Sequence, residues 1–475
     1  MNKCIINTDN YNDYIQFFSI KKENKEKYGE VHTPYHIIES MVSLFPKDIF
    51  TDPNIKILDP GSGHGYYSIF LFHFLNKSLC YHFPNKKDRH EHIIKNMLYM
   101  IEYNEEHISL LRDIFGKTSN VYHGDYLRDE LPKDFPKTFD IIIGNPPYNS
   151  EGFKKVPTNH VANKKKDGKT IWFDFLKRSM QLLKKQGLLS FIIPSIWMKP
   201  DKYNIYDYIL SYKIDYIHCL NNTQTNTHFK GNAQTPTCYF LLKNEKSNGY
   251  NKNIHKEQII HLYDQCKGTY IDYPLTFGSP IPLFGSSIIK KLLPYVLKYG
   301  SLKDYVKKTN MPPKRTILSK SCCQVQKYVN IRTCILKNKV IPEVKMEYSN
   351  IPLSFHGVSK LILAHKMYGF PYLDISGTYG ISNRDNYVVY NKSVSELKLL
   401  QKYLSTNFAL YMFESTRYRM KYLEKYVFEF LPDITKMYEK IEDNTSLNIE
   451  KLFSFTSEEI TTINNHTRKQ YTFFI

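Results

Sequence analysis

Asp140-Ile141-Ile142-Ile143-Gly144-Asn145-Pro146-Pro147-Tyr148 is the stretch on which the reading of this chain turns. Three consecutive isoleucines read as a strand buried on both faces, the pattern of a parallel sheet covered by helices. The run stops on a glycine, an amide, two prolines and a phenol. Such an ending places hydrogen-bond acceptors and a flat ring at the carboxyl edge of a sheet, where open α/β folds take their ligands.

Working outward, strands and helices alternate on both sides. Ile55 to Leu58 forms a short strand ending on Asp59, followed by a glycine turn, Pro60-Gly61-Ser62-Gly63-His64-Gly65, and a helix from Tyr66 to Leu75. Met97 to Ile101 is a second strand, ending at Glu102, and a helix runs from about 104 to 116. Asn120 to His123 is a third strand and leads to Gly124-Asp125. The isoleucine strand is the fourth. A helix over 171–185 follows, then strands at 187–194, 214–220 and 237–242. The alternation predicts a mostly parallel, doubly wound sheet. Residues 76–95 are polar and basic and read as an insertion or long loop. Upstream, Thr33 reads as an N-cap with Pro34 in the first helical position. After about 245 the alternation gives way to prolines, aromatics and short β-like runs, with a long helix near 395–427. The expected division is a lead-in over 1–50, an α/β domain over 51–245 and a mixed α+β domain over 250–475, with the boundary in the polar stretch 244–252.

Composition narrows the function. The formal charge is +19 and 15% of residues are aromatic, a balance that suits a polyanionic partner. The eight cysteines include no CxxC pair and no histidine cluster has ligand spacing, which argues free thiols in a reducing compartment and no metal site. No apolar run reaches the roughly 20 residues of a membrane span, so a soluble intracellular protein is expected, in cytoplasm or in a host cell, and a monomer.

Three carboxylates end successive strands. Asp59, at a turn containing Gly61 and Gly63, can hold a cationic amino group. Glu102 can accept ribose hydroxyls, and Asp125 an adenine amino group. The loop reads G-x-G-x-G, not the G-x-G-x-x-G of a dinucleotide site, and suits a small zwitterionic nucleoside.

Asp-Pro-x-x-Gly-x-Gly, an acid, Gly-Asp and Asn-Pro-Pro-Tyr, in that order, resemble the N6-adenine methyltransferases that use S-adenosylmethionine. Gly29-Glu30-Val31-His32-Thr33-Pro34 resembles the motif carried upstream of the cofactor loop by their gamma class, which accompanies type II restriction systems. Residues 171–199, ending in Pro194-x-x-Trp197, resemble the family's next segment. The likeness covers about residues 28–243. It implies a Rossmann-like methyltransferase fold with a seven-stranded sheet, a C-terminal target-recognition domain, double-stranded DNA as substrate and a separate restriction endonuclease as partner. It further implies cofactor contacts from Thr33, Pro34, Asp59, Gly61, Gly63, Glu102, Asp125 and Asn145. Asn145 and the Pro146 carbonyl would accept the hydrogens of the target amine, Pro147 would fix the turn, and Tyr148 would stack on a flipped adenine, with Phe229 as the second wall. Lysines 154, 155, 164, 165, 166 and 169 would contact phosphates, as would Arg417, Arg419, Lys421 and Lys425, while Tyr411, Tyr418, Tyr422 and Tyr426, at helical spacing, read as core.

Two other enzymes fit the same turn: an RNA adenine methyltransferase, and a methyltransferase acting on a glutamine amide, although the latter keeps a helical domain before the cofactor fold and lacks so large a C-terminal half. A DNA-binding subunit with an inactive methylase fold is a third reading, against which the intact Asp59, Asp125 and Asn145–Tyr148 argue.

Overall fold

The computed structural model describes residues 31–150, 170–231, 233, 235–247, 258–338, 340–367, 369–419, 422–440 and 447–466. The lead-in through Glu30, the lysine-rich stretch over 151–169, most of the expected boundary segment and Lys421 lie outside the described residues. The chain divides into two compact units, Met1–His261 and Leu262–Ile475.

In the first unit the elements run α1 (Tyr35–Val42), β1 (Ile57–Pro60), α2 (Tyr66–Ser78), α3 (Lys86–His92), β2 (Leu98–Glu102), α4 (Glu105–Phe115), β3 (Asn120–His123) and β4 (Phe139–Gly144). They continue with α5 (Trp172–Leu182), β5 (Leu183–Pro194), α6 (Ile205–Leu210), β6 (Tyr212–Leu220), α7 (Asn222–His228) and β7 (Thr237–Lys246). These seven strands lie in the order β3-β2-β1-β4-β5-β7-β6. The pairs from β3 across to β5 are parallel; β7 runs antiparallel to both β5 and β6. This is the doubly wound sheet that the sequence predicts. Ile141, Ile142 and Ile143 are all 0% exposed, and complete burial of each such side chain contributes about 1.5–3 kcal/mol. Strand order reverses between β1 and β4, whose Leu58 and Ile142 are paired, and the crevice at such a reversal is where α/β sheets bind ligands.

Three local readings are corrected. The polar stretch over 76–95 is not a loop: Asn85 accepts from the Lys87 and Asp88 amides and starts α3. On that helix Arg89 is buried, bonded to Asn76 Oδ1 at 2.7 Å and the Phe83 carbonyl at 2.5 Å. Thr33 is not an N-cap: Pro34 holds that position and no side chain caps α1. Finally, β7 runs on to Lys246, and β8 (Gln258–Asp264) spans the division between His261 and Leu262, which falls after the stretch expected to mark the boundary.

The second unit continues with β9 (Thr269–Leu275), α8 (Ser286–Tyr299), β10 (Val306–Lys308), β11 (Leu318–Ser319), β12 (Tyr328–Lys337), β13 (Ile341–Ser349), β14 (Lys360–Ala364), β15 (Tyr372–Asp374), β16 (Gly380–Ile381) and β17 (Asn386–Val389). Two four-stranded sheets form, β10-β17-β14-β15 and β11-β13-β12-β16. The single long helix expected near 395–427 is two, α9 (Val394–Leu404) and α10 (Asn407–Ser415), because the Thr406 hydroxyl accepts from the Ala409 amide and opens a new helix. Tyr411 and Tyr418 are core, at 1% and 0% exposure. Arg417 is paired with Glu414 at 2.8 Å and Arg419 with Glu424 at 3.4 Å, so both carry an acid partner within the fold.

Candidate active site

The site assembles at the carboxyl ends of β1, β2, β3 and β4. Asp59, the third residue of β1, is 2% exposed and accepts from Ser68 Oγ at 2.9 Å. Burial, reinforced by the charge of Glu102, pushes its carboxyl up to about 7. A side chain at position 144 would bring a Cβ within 3.3 Å of Asp59 Oδ1, so Gly144 keeps space beside that carboxylate.

The glycine turn is pinned to β2. The amides of Gly61 and Ser62 both donate to the Ile101 carbonyl, at 2.8 and 3.0 Å. Glu102 accepts from the Gly63 amide at 2.6 Å through Oε2 and from the Asn104 amide at 2.8 Å through Oε1. Each carboxylate oxygen thus holds one end of a loop and retains a further lone pair. Gly63 has φ of +54°, and nothing lies within 4 Å of where its Cβ would be: the loop is open on that side. Asp125 is partly exposed, accepts from the Leu127 amide at 2.9 Å and lies 3.5 Å from Arg128.

After β4, Asn145 Nδ2 donates to Thr33 Oγ1 at 3.2 Å and, at 3.4 Å, to the Val31 carbonyl. The donor half of the amide is thereby engaged. Among the described residues no partner falls to Oδ1. Burial drives the Tyr148 phenol well above its ordinary range; its oxygen lies 3.5 Å from the Ile192 carbonyl while the residue as a whole stays half-buried. The Tyr148 carbonyl accepts from the Ile171 amide at 3.1 Å, and Asn149 pairs with Thr170, which anchors the turn at both ends. Phe229 follows α7 and is 2% exposed, its ring inside the fold and not on an open wall. Trp197 is likewise core, donating to Cys238 Sγ at 3.2 Å.

Residues 68–225 match the model of the Eco57I restriction-modification methylases. A type II restriction enzyme and methyltransferase of Escherichia coli, RM.Eco57I, is 31% identical over 119 residues, 24% of this chain and 12% of that one. Modification methylase CviBIII of Paramecium bursaria Chlorella virus NC1A is 24% identical over 291 residues, 57% of this chain and 68% of that one. The likeness to restriction–modification methylases thus covers residues 68–225, a third of the chain, and the chain spans 12% and 68% of the lengths of these two relatives.

Solved structures similar to this chain include the EcoKI M protein of a type I restriction enzyme (TM-score 0.34, 15% identity, 49% of this chain and 48% of that one). Another is the methyltransferase subunit of a type I restriction–modification system from Streptococcus thermophilus (TM-score 0.32, 16% identity, 50% of this chain and 49% of that one).

Four residues that shape the site carry little signal in the sequence. Ser68 holds Asp59, and its polarity in a helix otherwise rich in buried apolar residues was the available signal. His32, His64 and His107 converge beside the glycine turn: the rings of His64 and His107 are 4.3 Å apart, those of His32 and His64 5.2 Å. Burial and the neighbouring imidazoles bring His32 down to about 4, so it is neutral at physiological pH, and it hydrogen-bonds the Tyr66 hydroxyl. Nothing in linear spacing announces this cluster. Among the described residues no group of side chains suits a metal ion, and no helix is long and apolar enough to cross a membrane.

Proposed function

We propose that this protein is a site-specific DNA methyltransferase that moves a methyl group from S-adenosylmethionine to N6 of an adenine turned out of the duplex. The observation that carries the reading is the state of Asn145. Its amide nitrogen is held by Val31 and Thr33, so the end left for a substrate is an acceptor, at the strand-order reversal, followed at once by the Pro146 carbonyl.

A planar exocyclic amine is a weak nucleophile because its lone pair is shared with the ring. Asn145 Oδ1 and the Pro146 carbonyl accept its two hydrogens and draw the nitrogen toward tetrahedral geometry. Pro147 fixes the turn through its locked φ. Tyr148 meets the base as a neutral ring, its phenol held above its ordinary range by burial. Once methylated the nitrogen is cationic and readily gives one proton to water, while the sulfonium leaves as a neutral thioether, so no strong base is required and positioning carries most of the rate. Turning out the base costs a few kcal/mol of stacking, and the charge of +19 supports a DNA partner by favouring phosphate contact.

The residues present fit S-adenosylmethionine. Asp59, buried with one side-chain donor and an acidity far from its ordinary value, offers a carboxylate whose ionised form a cationic group would favour. The open side of Gly63 admits a ligand, Glu102 keeps lone pairs for hydroxyls, and Asp125 stands one strand further along. When bound, the cofactor supplies an electrophilic methyl on a sulfonium. The second unit serves as the target-recognition domain, the protein acts as a soluble monomer, and a separate restriction endonuclease shares its site.

The test offers the purified protein methyl-labelled S-adenosylmethionine with duplex DNA, RNA of the same sequence, or a glutamine-bearing peptide. Label is expected in DNA alone. Label in RNA or peptide, with none in DNA, would overturn the reading.

A further inference from the structure

Thr33 stands directly before a proline-led helix, the place for a capping hydroxyl. It does not cap. Pro34 occupies the N-cap, and α1 is entered without a side-chain bond. Thr33 is instead 4% exposed, and its Oγ1 accepts from Asn145 Nδ2 at 3.2 Å; the Tyr67 hydroxyl of α2 lies 3.4 Å from the same oxygen. A residue 112 positions upstream therefore reaches the side chain at the end of β4.

We infer that Thr33, with the Val31 carbonyl, is a positioning residue that sets which end of the Asn145 amide meets the substrate. A primary amide can turn by 180° with little change of shape, exchanging its oxygen and its nitrogen. Turned over, Asn145 would present donors to an amine that is itself a donor, and transfer would fail. The Val31 carbonyl can only accept, so it opposes the turned form, where two carbonyl oxygens would face each other. Its bond is long, at 3.4 Å. The Thr33 hydroxyl, which can donate or accept, does not itself choose the orientation; it supplies the shorter bond that holds the amide against the Val31 carbonyl, and its burial excludes water that would compete for the same nitrogen. The segment that carries Thr33 is itself held at His32, which hydrogen-bonds Tyr66 at the start of α2. The N-terminal segment thus does more than border a cofactor: it fixes the polarity of the acceptor. This rests on the functional reading of Asn145 given above.

The experiment compares wild type, Thr33→Val and Thr33→Ser. Losing one net hydrogen bond corresponds to roughly a tenfold effect. Thr33→Val is expected to lower kcat about tenfold or more at saturating cofactor, with the cofactor dissociation constant, measured calorimetrically, within about twofold of wild type. Thr33→Ser, which keeps the hydroxyl, is expected to restore kcat to within about threefold. A side-chain role limited to cofactor contact would weaken cofactor binding and spare kcat at saturation, and would overturn the inference, as would an unchanged kcat. A second readout needs no turnover. In protein labelled with ¹⁵N-asparagine, with the Asn145 side-chain resonance assigned through Asn145→Asp, Thr33→Val should make the Nδ2 hydrogens exchange with solvent about tenfold faster. Unchanged exchange would refute the positioning role. If wild type methylates no nucleic acid, the functional reading fails while the exchange measurement still decides the role of Thr33.

Discussion

The two units place their buried polar groups differently. In the second unit two buried acids, Asp374 and Asp264, sit in closed networks. Lys360 and Asp374 are 0% and 1% exposed and meet at 2.5 Å; the Lys360 ammonium also reaches the Val358 carbonyl, and Asp374 accepts from the Thr378 and Tyr379 amides. Asp264 spends one oxygen on the Cys266 and Lys267 amides and the other on Ser286 and Ser287 at the start of α8. In the first unit Asn145 and Asp59 are held on one side only, whereas Glu102 engages both of its oxygens at the glycine turn. Asn145 is bound through its nitrogen, Glu102 holds two loop amides, and Asp59 has a single hydroxyl donor. Closed networks fix a fold. Networks held on one side present a group to something else, and burial makes that group chemically unusual.

The sharpest way to break this contrast is to remove the open group. Asn145→Ala is expected to reduce methyl transfer by about 10²–10³-fold, the scale of losing a preorganised hydrogen-bonding group at a reacting centre, with the melting temperature and cofactor affinity close to wild type. Loss of folding in step with activity would place Asn145 among the closed, structural groups. A closed network should answer the opposite way. Lys360→Ala leaves the Asp374 carboxylate buried without its partner, which costs about 3–5 kcal/mol. Urea unfolding should show that loss, and Lys360→Met combined with Asp374→Asn, which keeps an acceptor for the Thr378 and Tyr379 amides, should recover most of it. Equal destabilisation by the single and double variants would show that the pair is not closed.

A smaller effect separates Asp59 from ordinary surface acids. Its carboxyl in the folded protein sits at about 7, above the ordinary value of 3.8, so the folded state holds the proton more tightly than the unfolded one. The stability this provides is complete below about pH 4 and is lost as pH rises through 7. A cationic cofactor favours the carboxylate, so binding below pH 7 must expel a proton. Affinity for S-adenosylmethionine is expected to rise by up to about tenfold per pH unit below 7 and to level off above it. Calorimetry in two buffers of different ionisation enthalpy checks the proton count, and Asp59→Asn should abolish the dependence. A flat profile in wild type would assign the carboxylate no contact with the cofactor.

Much of the first unit was legible because parallel strands buried on both faces leave an unbroken apolar run, and each run here ends on a conspicuous glycine, acid or amide. The alternation predicted a mostly parallel sheet, whereas the strand order and the reversal between β1 and β4 are seen only in the structure. The α3 segment was not legible because its stabilising contacts come from one buried arginine in a polar sequence, and its signal was only the capping Asn85. The role of Thr33 was hidden because its partner lies across the fold while a local alternative, capping, stood next to it. In the second unit β10, β11, β15 and β16 have only two or three residues each, too brief to establish a period. The break between α9 and α10 rests on the side chain of Thr406, which a run of apolar residues on either side conceals.

The central claim is that an exocyclic adenine amine meets the acceptor end of Asn145. The most direct measurement digests duplex DNA, after incubation with the purified protein and S-adenosylmethionine, to nucleosides and separates them by mass spectrometry. N6-methyldeoxyadenosine should accumulate, and it should be absent with Asn145→Ala. Methyl groups on cytosine, or N6-methyldeoxyadenosine formed equally well by Asn145→Ala, would contradict the account.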